Sequence, residues 1–136
     1  MDQHMTQASA QVWLDDYVRA WKSYDRDDIA ALFAPTVQYR YHPYDEPVIG
    51  VDAVVDSWLG AGADADASTR DPEGTYDARY TPYAVDGDRV VATGTSVYQD
   101  HPDGPVTRTF DNCFLIRFDP QGRCLEFTEL YLERPR

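Results

Sequence analysis

The chain has 136 residues, is 43% hydrophobic with ten tyrosines, and carries a formal net charge of −12. That length supports one domain, residues 1–136, with a real core and no room for a second. The acidity argues against nucleic-acid backbones and anionic membranes as partners, and it favours solubility without selecting a substrate.

Residues 1–8 read as a flexible tail, because Met1 to Ala10 shows neither a basic patch nor an apolar run. No secretory signal and no stretch of membrane-spanning length is visible, so a cytoplasmic protein is expected. From Ser9 to Ser23 the spacing of Val12, Trp13, Leu14, Tyr17, Val18 and Trp21 predicts an amphipathic helix. Asp25 is placed to cap a second helix, Arg26 to Phe33, that buries Ile29, Leu32 and Phe33 and is ended by Pro35.

Val37 to His42 alternates as a strand, with Val37, Tyr39 and Tyr41 on one face and Gln38, Arg40 and His42 on the other. Pro43 and the segment Pro47 to Gly50 mark a turn. Val51, Val54, Val55, Trp58 and Leu59 then form a third helix stopped by Gly60. Ala61 to Gly74 reads as a mobile connection. Its Asp64, Asp66, Ser68 and Asp71 invite a calcium reading, but Thr69 and Thr75 stand where the turn glycine and closing glutamate belong. No metal site is expected.

The remainder reads as a four-strand antiparallel meander: Tyr76 to Val85, Arg89 to Gln99, and a final hairpin. In that hairpin the turn Asp119 to Gly122 predicts Phe118 opposite Arg123. The pairs that follow are Ile116 with Leu125, Phe114 with Phe127, Asn112 with Glu129, and Phe110 with Tyr131. One face is thus apolar and aromatic with a polar pair set into it. The other mixes Thr107, Thr109, Asp111, Arg117, Glu126 and Thr128 with Cys113, Leu115, Leu130 and Leu132. Cys113 and Cys124 are not opposed in this register and read as reduced thiols. Helices against an antiparallel sheet make an α+β domain.

An acid on an aromatic face is costly to bury unless it is paired or reached by water, which makes Glu129 the most informative residue. Desolvation there should raise its pKa, suiting it to give or take a proton near neutrality. Neither a serine elbow, a dinucleotide fingerprint nor a phosphate loop is present, so no cofactor is expected.

The helix ending Ala20 to Asp25, then Ile29 to Ala34, Tyr41-His42-Pro43, Gly50 before the helix ending at Trp58, and Ile116 to Arg123 together carry a resemblance. The chain resembles the nuclear transport factor 2-like superfamily, in its SnoaL-like and ketosteroid-isomerase-like branch. The resemblance implies a cone-shaped α+β barrel, three N-terminal helices packed on a strongly curved, mainly antiparallel sheet around an apolar pocket. By position, His42 falls where ketosteroid isomerases place their general base, and Phe114 where they place a protonated aspartate. Their helical tyrosine falls near Trp21, with Tyr17 one turn earlier. With the oxyanion acid absent and the base changed in type, steroid isomerisation by that mechanism is not expected. Some SnoaL-like cyclases use an acid on these last strands, which Glu129 resembles in kind.

The resulting expectation is a site with His42, Glu129 and Asn112 as catalytic candidates, His42 facing Glu129 across the pocket. Tyr17, Trp21, Tyr39, Tyr41, Trp58, Phe110, Phe114, Phe127 and Tyr131 are the ligand-binding candidates. Strict alternation opposes His42 to Tyr39 and Tyr41 unless the chain bends before Pro43. The expected function is acid/base chemistry of the isomerase, cyclase, dehydratase or epoxide hydrolase type on a small hydrophobic, cyclic or polyketide-like molecule. The alternatives are a non-catalytic binder and an interaction module. A homodimer through the outer sheet face is also expected.

Overall fold

The computed structural model describes residues 4–60 and 70–136. Helix α1 (Gln7–Ser23), α2 (Arg26–Ala30), strands β1 (Phe33–Arg40) and β2 (Val48–Ile49) and helix α3 (Val51–Leu59) come first. Strands β3 (Tyr76–Asp86), β4 (Arg89–Gln99), β5 (Val106–Phe118) and β6 (Cys124–Glu133) follow. The expected calcium-like residues Asp64, Asp66, Ser68 and Thr69 lie outside the described residues. No described helix is long and apolar enough to cross a membrane.

Helix α1 begins two residues before the expected Ser9 because Thr6 caps it. The Thr6 hydroxyl accepts from the Ser9 backbone N–H at 3.0 Å, and Ser9 Oγ accepts from the Thr6 N–H at 2.9 Å. The helix ends at Tyr24 in the left-handed region (φ 48°). Asp25 caps α2 as expected, but that helix stops at Ala30. Phe33 instead opens β1, and Pro35 lies inside the strand where its pairing with β6 shifts register. A proline is tolerated there because a bulge needs no ladder N–H. The expected turn at Pro47 to Gly50 holds a two-residue edge strand that pairs with Gln38 and Tyr39.

All six strands form one sheet in the order β2-β1-β6-β5-β4-β3, antiparallel except where β1 runs parallel to β6. Register shifts in the β1–β6, β3–β4, β4–β5 and β5–β6 ladders each bend and twist the sheet, curving it over the helices. Trp13, Leu14 and Tyr17 of α1 and Val54, Val55 and Leu59 of α3 meet Phe33, Val37, Tyr39, Phe114, Ile116, Phe118 and Phe127 in one core.

The final hairpin corrects the expected pairing. Asn112 is opposite Tyr131, Phe114 opposite Glu129 and Ile116 opposite Phe127. The cause lies in the turn, where the Asp119 carboxylate accepts from the N–H groups of Gln121 and Arg123 and from Arg123 Nε. Phe118 then pairs with Cys124, and a bulge follows before Arg117 pairs with Glu126. Cys124 is thereby fully buried, where Leu125 was expected inside. Beyond the bulge the slip is two residues, so every side chain keeps its expected face. Both cysteines are unpaired.

At Gly94 a β-carbon would lie 2.0 Å from the Arg79 carbonyl oxygen and 2.8 Å from Tyr80 Cδ1. Tyr80 therefore lies across a strand position that must have no side chain. Gly94→Ala should destabilise the fold by about 3 kcal/mol, the upper range for overpacking. Urea denaturation measures this, and a loss under about 0.5 kcal/mol would mean β3 and β4 separate at little cost.

Candidate functional site

A cleft of about 670 Å³ opens between α1, α3 and the inner face of the sheet. Every strand but β2 contributes through alternation: Tyr39 from β1, Tyr80 from β3, Ser96 and Tyr98 from β4, Phe110 and Asn112 from β5, Glu129 and Tyr131 from β6. The helices add Tyr17, Trp21 and Trp58, and the chain after β1 adds Tyr41.

The inner wall is built around the half-buried Glu129. Ser96 Oγ donates to Asn112 Oδ1 at 3.0 Å, which fixes the amide so that its NH₂ is the group offered to Glu129. Burial pushes the Glu129 carboxyl up to about 7, while nearby His42 and the Asn112 hydrogen bond pull it back only in part. Protonated and ionised forms therefore coexist near neutral pH.

Phenols surround this acid. Tyr17 and Tyr39 share a buried hydrogen bond of 3.0 Å between their hydroxyls, and Tyr41 bonds Ser57 at 2.6 Å. Burial raises the pKa of Tyr17, Tyr39, Tyr41, Tyr80 and Tyr98, and proximity to Glu129 raises each further. All five stay neutral at physiological pH, and a phenol whose O–H is not already given to a neighbour can donate to a ligand oxygen. Trp58 stands edge-on to the Tyr17 ring, with centroids 5.1 Å apart. Its buried Nε1 has no hydrogen-bond partner among the described residues.

The mouth is more polar. Arg108 makes a two-bond fork with Glu133 at 2.8 and 2.9 Å and lies 5.0 Å from the Phe110 ring centre. Asp71 accepts from Trp21 Nε1 at 3.0 Å and from the Tyr24 hydroxyl at 3.4 Å, and its own N–H donates to that hydroxyl at 3.0 Å. These bonds fasten the returning chain to the end of α1. Burial raises the Asp71 carboxyl above its usual range.

Of the expected residues, Tyr17, Trp21, Tyr39, Tyr41, Trp58, Phe110, Asn112, Glu129 and Tyr131 border the cleft. Phe114 and Phe127 do not. They are 1% and 0% exposed, covered by Tyr17, Tyr39 and Tyr80, and they support the wall from behind. His42 does not face Glu129 across the cleft either. Strand β1 ends at Arg40, and the chain bends so that Asp45 N–H donates to the His42 carbonyl. The bend brings Tyr41 into the cleft while the imidazole bonds Asp45 and, at 3.0 Å, the Tyr131 hydroxyl.

Sequence reasoning missed Tyr24, Asp71, Tyr80, Ser96 and Tyr98. Alternation carries a signal for three of them: Tyr80 shares its strand face with Tyr76, and Ser96 and Tyr98 share the face of Gly94. Among the described residues, no group of three or more His, Cys, Asp or Glu side chains converges as a metal-ligand set.

The chain matches the SnoaL-like domain family over residues 14–127. Its fold is similar to that of a proposed ketosteroid isomerase from Kribbella flavida DSM 17836. That match has a TM-score of 0.65 and 13% identity over 96% of this chain and 82% of the other. It is also similar to a protein of unknown function with cystatin-like fold from Methylobium petroleophilum PM1. There the TM-score is 0.60 and the identity 14%, covering 98% and 82%. No curated protein sequence is significantly similar to the chain.

The raised Glu129 carboxyl makes a prediction about stability. A carboxyl with a folded pKa near 7 binds its proton more tightly folded than unfolded. Its penalty is absent below the unfolded pKa, grows from about pH 4.5, and is complete above about pH 7. Glu129→Gln should therefore gain about 3 kcal/mol at pH 8 and almost nothing at pH 4.5. Chemical denaturation at the two pH values checks this, and an equal effect at both would remove the titration from the argument.

Proposed function

Because the chain belongs to the SnoaL-like domain family, we propose that it is a small-molecule enzyme performing acid/base chemistry without a cofactor. The reaction is of the isomerase, cyclase, dehydratase or epoxide-opening type, on a hydrophobic cyclic or polyketide-like substrate. The observation that carries this reading is Glu129, a carboxyl held near pKa 7 on the wall of an aromatic cleft.

Ring faces of Tyr17, Trp58 and Phe110 suit a flat apolar skeleton, which they would desolvate and orient. Neutral phenols and the Asn112 amide would hold its oxygen atoms and stabilise charge developing there. Glu129 would then transfer a proton to or from the bound skeleton. The cleft mouth fits neutral substrates better than anions, because its guanidinium at Arg108 is already forked to Glu133.

A cytoplasmic location is part of the proposal, consistent with two unpaired thiols. So is a homodimer. Leu115, Leu130 and Leu132 are 47%, 37% and 78% exposed on the outer sheet face, an apolar surface suited to a second copy. Sedimentation should give a dimer mass that Leu132→Glu converts to monomer, and a concentration-independent monomer in the wild type refutes it.

The enzyme reading is tested by incubating small-molecule extracts of the source organism with wild-type protein, with Glu129→Gln, or with buffer. A compound should be converted by wild type alone, with Glu129→Gln slower by about a hundredfold or more. Equal enrichment of one compound by both proteins, without conversion, would make this a binding protein instead.

A further inference from the structure

The proton chemistry assigned to Glu129 leaves a second arrangement on the same strand unused. Glu129 and Tyr131 project from one face of β6, their Cα atoms about 7 Å apart by strand geometry. Tyr131 borders the cleft. Behind its hydroxyl, 3.0 Å away, stands His42 Nε2, and His42 Nδ1 lies 2.8 Å from Asp45 Oδ2.

The order of these groups fixes the proton positions. A carboxylate only accepts, so Nδ1 of the neutral ring carries the hydrogen and Nε2 is left with the lone pair. The Tyr131 O–H is then the donor to Nε2. The Tyr44 ring lies parallel to the imidazole, with centroids 5.1 Å apart and planes within 6°. Arg40 Nε donates to the Asp45 carbonyl at 3.2 Å, which holds the turn carrying the carboxylate. With its side chain 35% exposed, His42 also reaches solvent.

We propose that Asp45, His42 and Tyr131 form a proton relay in which Tyr131 is a catalytic base of the cleft and His42 and Asp45 are positioning residues behind it. The inference rests on the cleft being the substrate site. As the phenol oxygen takes a proton from a substrate carbon or hydroxyl, its own proton passes to His42 Nε2. An imidazolium beside Asp45 results. The electron pair released in the substrate moves to the atom that receives the Glu129 proton. Solvent then takes the proton from the exposed imidazolium and returns one to Glu129, so neither protons nor electrons are gained overall.

Both groups act from one strand face, hence on one side of a flat substrate. The substrate class that follows is an oxo- or hydroxy-bearing ring undergoing a same-face proton shift or elimination. This also gives His42 a part in the chemistry without a place on the cleft wall.

Acetylation of tyrosines by N-acetylimidazole at neutral pH, mapped by peptide mass spectrometry, tests the relay without a natural substrate. Tyr83, 76% exposed, serves as the reference in the same molecule, against 43% for Tyr131. Despite its lower exposure, Tyr131 should react about tenfold faster than Tyr83, because a general base assists it. His42→Gln should abolish that advantage and Asp45→Asn should reduce it severalfold, with the Tyr83 rate unchanged in both as evidence of an intact fold. Tyr131 reacting no faster than Tyr83, or keeping its advantage in His42→Gln, overturns the relay. An advantage kept only in Asp45→Asn removes Asp45 from it. This outcome is independent of the extract experiment, which reports on Glu129 and on the cleft as a substrate site.

Discussion

The structure depends on how Phe127 is packed. Its ring lies almost parallel to Tyr39, 4.6 Å away across the β1–β6 ladder, and to Tyr17 of α1 at 5.5 Å. Three elements distant in sequence are joined at this point, and the burial of three aromatic rings there stabilises their packing. Because strand side chains alternate, fixing Phe127 inward also fixes Glu129 and Tyr131 inward. The hydrogen bond between Tyr17 and Tyr39 answers the need of two phenols buried beside a carbon surface. The site's acid is thus placed by a packing contact that does no chemistry.

That dependence explains which features were legible in the sequence. The helices, the meander and the inner face of the last two strands follow from periodicity, and periodicity tolerates the error that was made. A two-residue slip at Asp119 changed the partners of Asn112 and Glu129 while leaving both on the cleft wall. The bulge that causes the slip depends on a carboxylate bonding two backbone N–H groups and a guanidinium, and no hydrophobic pattern encodes such a turn. The end of α2 was misjudged for a related reason. Leu32, Phe33 and Ala34 are all buried, so the run fits a helix or a buried strand equally well.

The site itself was legible where it sits on regular strands and obscure where the chain is irregular. Glu129 and Asn112 came from alternation. The orientation of His42 is not legible in the sequence, since alternation ceases at Arg40 and a turn to Asp45 sets the ring. Asp71 could not be read as a cleft residue from a polar loop, because its contacts are with Trp21 and Tyr24, some 50 and 47 positions away.

A wall so rich in aromatic rings could have been closed with leucine or phenylalanine at position 129. Such a wall would need no partner for a buried acid and would avoid the free energy that desolvation takes from the folded state above neutral pH. The chain instead gives the carboxyl one amide hydrogen bond and lines the space around it with neutral phenols. Structural carboxylates in this same protein are treated differently. Asp111 and Glu133 are paired with Arg134 and Arg108, and their pKa values are lowered as a result. These two acids of the open surface are given a cation, whereas Asp71 is held by Trp21 and Tyr24. For Glu129 in the cleft, the lowering influence of nearby His42 is too weak to offset burial. A polar residue that breaks the local pattern without a full compensating partner is expected at sites under functional rather than structural constraint. That contrast between acids of one chain is what supports the proposal of Glu129 as the acid/base group.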